Sequence, residues 1–149
     1  MSCVVSVLMT VYNREAYLAD AVESVLASTF QDWELIIADD CSRDRSVEIA
    51  RGYAERDPRV RVFVNEKNLG DYPNRMRAAE LAKGKYLKYV DSDDLIYPHS
   101  LAIMVEAMNR FPDAALGLSY SLPEDETPYP LELKPAEAWQ RQFLGRGCL

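Results

Sequence analysis

The side chains best suited to chemistry crowd together late in the chain, where Asp91, Asp93 and Asp94 put three carboxylates within four residues. Hard oxygen donors so spaced suit a divalent cation such as magnesium or manganese, which is bound through carboxylates and substrate phosphates. The apolar and aromatic run Tyr86-Leu87-Lys88-Tyr89-Val90 before them has strand character, and Pro98 after them offers a helix start. The cluster would then sit at the carboxyl end of a strand, the edge at which open α/β sheets bind ligands. Taken alone, Asp-Ser-Asp-Asp is more often a turn, because Asp and Ser bond their own backbone.

Three other stretches carry related chemistry. Thr10-Val11-Tyr12-Asn13-Arg14 offers a hydroxyl, an aromatic ring and an amide, Asp39-Asp40 a pair of carboxylates, and Asn65 to Tyr72 a turn containing Gly70 that leads to Arg75 and Arg77. An aromatic face such as Tyr12 can stack on a base, a carboxylate such as Asp40 can accept an imide N–H, and Arg75 can grip phosphate oxygens in bidentate fashion. Together these groups meet the needs of a nucleoside diphosphate.

The elements between them predict how they are brought together. Val4 to Met9, apolar apart from Ser6, reads as a strand covered on both faces. Leu18, Ala21, Val22, Val25 and Leu26 share a helical face over residues 15–27. Glu34 to Ala38 repeats the strand pattern, and a helix to about Arg56 turns Val47, Ala50 and Tyr53 inward before Asp57-Pro58 ends it. Val60 to Val64 is a third strand, Pro73 starts a third helix that Gly84 closes at Lys83, and Tyr86 to Val90 is the fourth strand. Leu101, Met104, Val105 and Met108 mark a helix to about Arg110, and Ala115 to Tyr120 completes five strands alternating with four helices. This alternation predicts an α/β fold with a mostly parallel, doubly wound sheet, in which every strand-to-helix loop opens onto one common crevice. From Ser121 the texture becomes proline-rich and acidic, with Glu124, Asp125 and Glu126, and a short helix from Pro135 would contain Trp139 and Phe143. The ending Gly145 to Leu149 closes no element, so the fold is expected to be C-terminally incomplete, with residues 1–120 as one domain and 121–149 as the start of another segment.

Composition narrows the function classes. At 149 residues and 48% hydrophobic, the chain has single-domain length and enough apolar content for a core. The net charge of −7 argues against a nucleic-acid surface, which needs clustered Lys and Arg. Cys3, Cys41 and Cys148 lack metal-site spacing, so reduced thiols are expected. The apolar runs are too short to span a bilayer and the N-terminus is unlike a signal peptide, which predicts a cytoplasmic protein.

Val5-Ser6-Val7-Leu8-Met9-Thr10-Val11-Tyr12-Asn13-Arg14, Glu34 to Ser42, Asn68-Leu69-Gly70 with Asn74-Arg75, and Tyr89-Val90-Asp91-Ser92-Asp93-Asp94 resemble, in order, the motifs of family-two inverting glycosyltransferases of the GT-A, Rossmann-like fold. The resemblance runs from Val4 to about Tyr120. It implies a nucleoside-diphosphate-sugar donor, commonly a UDP-sugar, one divalent metal (Mn2+ or Mg2+), and a glycan, lipid or protein acceptor. On it, Thr10 and Tyr12 contact the nucleoside, Asp40 holds the base edge, and Gly70, Arg75 and Ser92 belong to the donor site. Asp91 faces the ribose and sugar, and Asp93 is the direct metal ligand. The family's catalytic base lies past the acceptor-binding segment, beyond Leu149, so none is assigned. Met76 departs from the asparagine that many relatives carry there.

Plainer roles compete at several positions. Tyr12 could pack over the first helix, Asp39 brace its loop, Arg77 be a solvated helix charge, Asp94 serve the turn, His99 lie at the surface and Cys41 be a small filler. A sugar-phosphate nucleotidyltransferase would want a glycine-rich loop after the first strand, where Thr10 to Arg14 has none. A receiver domain would carry its acidic pair after the first strand, and here Asp39-Asp40 follows the second. A catalytically inactive relative that binds nucleotide-sugar is the remaining alternative.

Overall fold

The structure is a computed structural model that describes residues 3–117. In chain order it contains β1 (Val5–Val11), α1 (Leu18–Leu26), β2 (Trp33–Asp39), α2 (Ser46–Ala54), β3 (Val60–Val64), α3 (Asp71–Glu80), β4 (Tyr86–Tyr89) and α4 (Ser100–Arg110). The strands form one parallel sheet in the order β3-β2-β1-β4. Parallel neighbours need crossovers, which the intervening helices supply.

The two central strands explain their own sequences. Every residue of β2, and all but one of β1, is buried, as expected of strands covered on both faces. On one face Leu8, Ile36 and Ala38 meet Ala78 of α3, with Phe63, Leu81 and Tyr89 around them. The pleat turns Val7, Met9, Leu35 and Ile37 the other way, and these are equally buried. There α2 lies on β2 and β3 with α1 beside it. Helix α1 has no side-chain cap at Tyr17. Its stripe of Leu18, Ala21, Val22 and Val25 is fully buried, and each Leu or Val so buried is worth about 1.5–3 kcal/mol, more than a missing cap loses.

A polar network ties the strands together away from the ligand edge. Glu34, on β2, accepts the Ser6 hydroxyl at 2.7 Å, the Arg61 guanidinium at 2.7 Å and the Lys83 N–H at 2.8 Å. Burial by itself opposes ionisation of this carboxyl, but the Ser6, Arg61 and Lys83 donors outweigh it and hold it below its ordinary range. Gly84 donates its N–H to Ser6 Oγ at 2.8 Å, and a Cβ there would stand 2.5 Å from the Ser6 backbone nitrogen. Its role is this close approach to β1. The helix that Gly84 was expected to close already ends at Glu80.

Other boundaries shift for similar reasons. Helix α1 begins at Leu18, not near Glu15; residues 15–17 form a turn in which the Tyr17 and Leu18 N–H groups share the Arg14 carbonyl and the Glu15 N–H is held by Asp44 of the next loop. Helix α3 begins at Asp71, so Pro73 sits inside the first turn, where an N–H has no helical partner to lose. On α2 it is Ser46, with Ala50 and Tyr53, that is buried, and Val47 is only half-buried. Helix α4 starts at Ser100, two residues past Pro98.

The fifth strand expected over 115–120 is not found as far as the structure reaches. Residues 115–117 are irregular, 118–120 lie outside the described residues, and the sheet there has four strands. The boundary at 120, the acidic stretch Glu124 to Glu126 and the helix from Pro135 also lie outside them. The chain divides into two units, Met1–Ile103 and Met104–Leu149. In the second, the described part is the end of α4, with Arg110 paired to Glu106 at 3.0 Å, and residues 111–117.

Candidate functional site

Val11 is level with Asp39 in the sheet, so the loops that follow β1 and β2 leave the same edge side by side. Asp40 donates its N–H to the Val11 carbonyl at 2.8 Å. Beyond that bond the loops interlock. The N–H groups of Asn13 and Arg14 donate to Ser42 Oγ and Ser46 Oγ, both at 2.9 Å. Arg43 N–H reaches Asn13 Oδ1 at 2.8 Å, Glu15 N–H reaches Asp44 Oδ2 at 3.0 Å, and Arg45 N–H reaches Glu15 Oε2 at 2.9 Å. Burial pushes the Asp44 carboxyl up, but the Ser46 side chain and the backbone N–H groups of Glu15 and Ser46 outweigh it and hold the group below its usual range. Asn13 and Cys41 make the tight turns with φ of 54° and 65°. Asn adopts this conformation readily and Cys seldom does, so the demand at Cys41 falls on its backbone, and its thiol is free.

These loops form one wall of a cleft of about 340 Å³, lined by Thr10 and Val11 at the end of β1, Tyr12 and Arg14 after it, Asp40 after β2, Asn68 and Gly70 after β3, and Asp71 and Asn74 of α3. Tyr12 keeps 44% of its surface exposed where it lines the cleft. Asp40 is only 3% exposed and organises the third loop. Its Oδ1 accepts Asn65 Nδ2 and the Leu69 N–H, both at 2.8 Å, and its Oδ2 accepts the Gly70 N–H at 2.9 Å. Asn65 also reaches Asn74 Oδ1 at 2.9 Å, and Asn74 donates to the Ala38 carbonyl at 2.9 Å. Gly70, with φ of 87°, takes the left-handed turn into α3. Asp39 caps the Ser42 N–H at 2.9 Å through Oδ1, while its buried Oδ2 has no hydrogen-bond partner. Both acids of the pair therefore brace loops, a role expected for Asp39 alone.

The acidic loop after β4 lies beside β1, where the strand order reverses between β1 and β4, the place at which open α/β sheets form their crevice. Arg75 is held between two carboxylates, Asp91 at 2.7 Å and Asp71 at 2.9 Å. Its guanidinium also stands over the Tyr89 ring, 5.5 Å from the centroid. Burial alone would lower the affinity of this group for its proton; Asp91 and Asp71 reverse that and raise it. Arg75 does not line the cleft; its Nε and Nη2 are spent on these two carboxylates, which leaves Nη1 for a further anion. Arg14 does line the cleft, and its Nε lies 3.4 Å from Asp93 Oδ2. Ser92 is buried at 4% exposure and does not line the cleft. The Asp94 N–H closes the turn onto the Asp91 carbonyl at 3.0 Å. Arg77 and His99 are exposed, and His99 stacks on Tyr97 with ring centroids 5.8 Å apart.

Of the residues singled out from sequence, Thr10, Tyr12, Asp40 and Gly70 meet in one cleft, Asp91 pairs with Arg75, and Asp93 is joined to the cleft through Arg14. The sequence placed Arg14, Asn68 and Asp71 in loops facing the crevice but gave them and Asn74 no role of their own, and it did not show Ser42, Asp44 and Ser46 as the clasp. Their one signal was a concentration of turn- and cap-forming side chains. No group of three or more His, Cys, Asp or Glu that could enclose a metal occurs among the described residues. The donor set still fits a divalent cation of the magnesium or manganese kind, which is held through one or two carboxylates with substrate phosphates and water. Asp91 and Asp93 are half-exposed and each spends one oxygen on an arginine.

The chain matches the family described as Glycosyl transferase family 2 over residues 6–147. It is 38% identical over 125 residues to the putative teichuronic acid biosynthesis glycosyltransferase TuaG of Bacillus subtilis, covering 83% of this chain and 50% of that protein. It is 33% identical over 127 residues to the glycosyltransferase GlyG of Streptococcus pneumoniae, covering 85% and 42%. The chain thus spans half or less of these curated relatives. Among solved structures, S. aureus TarS in complex with UDP-GlcNAc superposes with a TM-score of 0.68 at 28% identity, covering 72% of this chain and 31% of that one. A mannosyltransferase of Pyrobaculum calidifontis, at 19% identity and a TM-score of 0.64, shares the fold.

Proposed function

The chain belongs to glycosyl transferase family 2, and from that premise we propose that it binds the donor of an inverting sugar transfer, a nucleoside-diphosphate-sugar and specifically a UDP-sugar. The observation that carries this reading is the convergence of Thr10 at the end of β1 with Tyr12, Asp40 and Gly70 from the three loops after β1, β2 and β3 on one cleft at the carboxyl edge of the sheet. The exposed Tyr12 ring offers a stacking face for the base. Asp40 Oδ2 accepts a single protein hydrogen bond, from Gly70, and a carboxylate oxygen with one bond can accept another, here the imide N–H of uracil. Thr10 serves the nucleoside. Support comes from TarS, whose structures hold UDP and UDP-GlcNAc.

In this reading Asp93 holds Mn2+ or Mg2+ directly, and Asp91, steadied by Arg75, faces the ribose and sugar. When bound, such a cation neutralises charge on the leaving diphosphate. Inversion needs a base at the acceptor hydroxyl, and we assign that base to none of the described residues. The acceptor is a glycan, lipid or protein, residues 1–120 are the donor-binding part, and 121–149 begin the acceptor side. We place the activity in the cytoplasm. No helix among the described residues is long and apolar enough to cross a membrane.

Calorimetry with UDP tests the reading. Two like charges about 4 Å apart repel by roughly 4 kcal/mol at an effective dielectric near 20; Arg75 and Arg14 offset part of this at Asp91 and Asp93, and a cation would offset the rest when the diphosphate enters. UDP should bind with Mn2+ or Mg2+ and weakly in chelator. Equal affinity in both would remove the metal from the scheme, and no binding in either would overturn the donor site.

A further inference from the structure

We propose that Arg14 is a built-in counter-cation of the donor site: it neutralises Asp93 while the site is empty and exchanges Asp93 for diphosphate oxygens when a divalent cation takes that carboxylate. The inference deepens the donor reading above and rests on it.

Three observations carry it. The first is position. Of the residues that line the cleft, Arg14 is the one positively charged side chain, set against the carboxylates of Asp40 and Asp71. A diphosphate entering the cleft meets this guanidinium without displacing any other cation.

The second is the kind of bond that Arg14 makes. Its 3.4 Å contact to Asp93, with the two side chains 44% and 47% exposed, is longer than the roughly 2.7–2.9 Å of a tight charge-assisted bond, and its one other side-chain bond among the described residues is an exposed one, from Nη1 to the Asn13 carbonyl at 3.3 Å. A pair so open to water is easily exchanged. Arg75 is the contrast, with contacts of 2.7 and 2.9 Å and only 28% of its side chain exposed. It holds its carboxylates in place, whereas Arg14 can let its carboxylate go.

The third is the anchoring of the Arg14 backbone. Its own N–H is fixed on Ser46 Oγ at 2.9 Å, and the neighbouring N–H groups of Asn13 and Glu15 are fixed on Ser42 and Asp44. The Cα is thus immobilised beside the cleft, and the long side chain can swing between two anions with little cost in backbone order. A guanidinium suits both ends, since its fork matches carboxylate and phosphate alike.

The exchange makes two effects of opposite sign, which a merely structural ion pair would not. In Arg14→Gln, Mn2+ alone, followed by electron paramagnetic resonance, should bind about two- to fivefold more tightly, because the competitor for Asp93 is gone. UDP with saturating Mn2+, followed by calorimetry, should bind about tenfold more weakly, because a charged donor to the diphosphate is gone. Arg14→Lys retains the charge without the fork and should fall between wild type and Arg14→Gln in both assays. Either effect without the other overturns the exchange. If wild type takes up UDP with Mn2+ and Arg14→Gln matches it in both assays, the inference fails while the donor reading stands. If wild type takes up no UDP under any of these conditions, the donor reading fails and the inference falls with it.

Discussion

Replacing Asp40 with alanine should damage the protein twice, in stability and in nucleotide binding. The carboxylate takes three hydrogen bonds, from Asn65 Nδ2, the Leu69 N–H and the Gly70 N–H. Two of these donors keep a second acceptor when it is removed. Asn65 retains Asn74 Oδ1 at 2.9 Å, and Gly70 retains Asn68 Oδ1 at 3.1 Å. The Leu69 N–H is left with no other bond in the structure. One stranded donor costs about 1–3 kcal/mol, and the loss of charge-assisted character at the other two adds to it, for a total of about 3 kcal/mol. For a chain of this size that is a fall in Tm of roughly 10 °C. Urea unfolding at neutral pH measures the first quantity, and calorimetry with UDP and Mn2+ below the lowered Tm measures the second. A loss of stability under about 1 kcal/mol would refute the loop-bracing role. A full loss of stability with unchanged UDP affinity in the folded variant would refute the role at the base edge.

Other outcomes follow from single features. The Glu34 carboxyl is held below its ordinary value of 4.5, so its contribution to stability is full above that pH and disappears as pH falls through the depressed folded value. Glu34→Gln should therefore flatten this part of the acid limb in a series of urea midpoints, leaving a residue from Asp44 and Asp57, whose carboxyls are also held low. Gly84→Ala should cost about 1–3 kcal/mol by overpacking, because the added carbon meets backbone atoms of Ser6 and Val5 at 2.5 and 2.8 Å that no rotamer can relieve; an unchanged midpoint would mean that the chain there moves aside freely. Tyr12→Ala should weaken UDP by about 1–3 kcal/mol, the worth of one base stacked on a ring. The 44% exposed ring leaves stability within about 0.5 kcal/mol, and equal UDP affinity in the variant would place the base elsewhere.

The difference between what the sequence disclosed and what it withheld follows the range of the interactions involved. Strand β3 matches its reading of Val60 to Val64, and β1 and β2 lie within two residues of the mostly apolar runs that marked them, because burial on two faces imprints on neighbouring residues. That four loops share one edge then follows from parallel pairing alone. Helix starts were less legible, since the turn that precedes α1 is pinned at Glu15 by Asp44, 29 residues away. Gly84 looked like a helix end because its real constraint, Ser6, is 78 residues distant. Within the site the same limit explains why Asp40 and Arg75 read only as ligand groups and Arg14 only as part of a turn. A short polar side chain at a strand end looks alike whether it braces a loop or meets a substrate, since both tasks call for the same donors and acceptors. Burial separates the two: Asp39, Asp40, Asn65, Asn74 and Ser92 are turned inward, while Tyr12, Arg14 and Asp93 remain exposed. The exposed set is therefore where substitutions should alter binding at little cost in stability, and the buried set is where binding and stability should fall together.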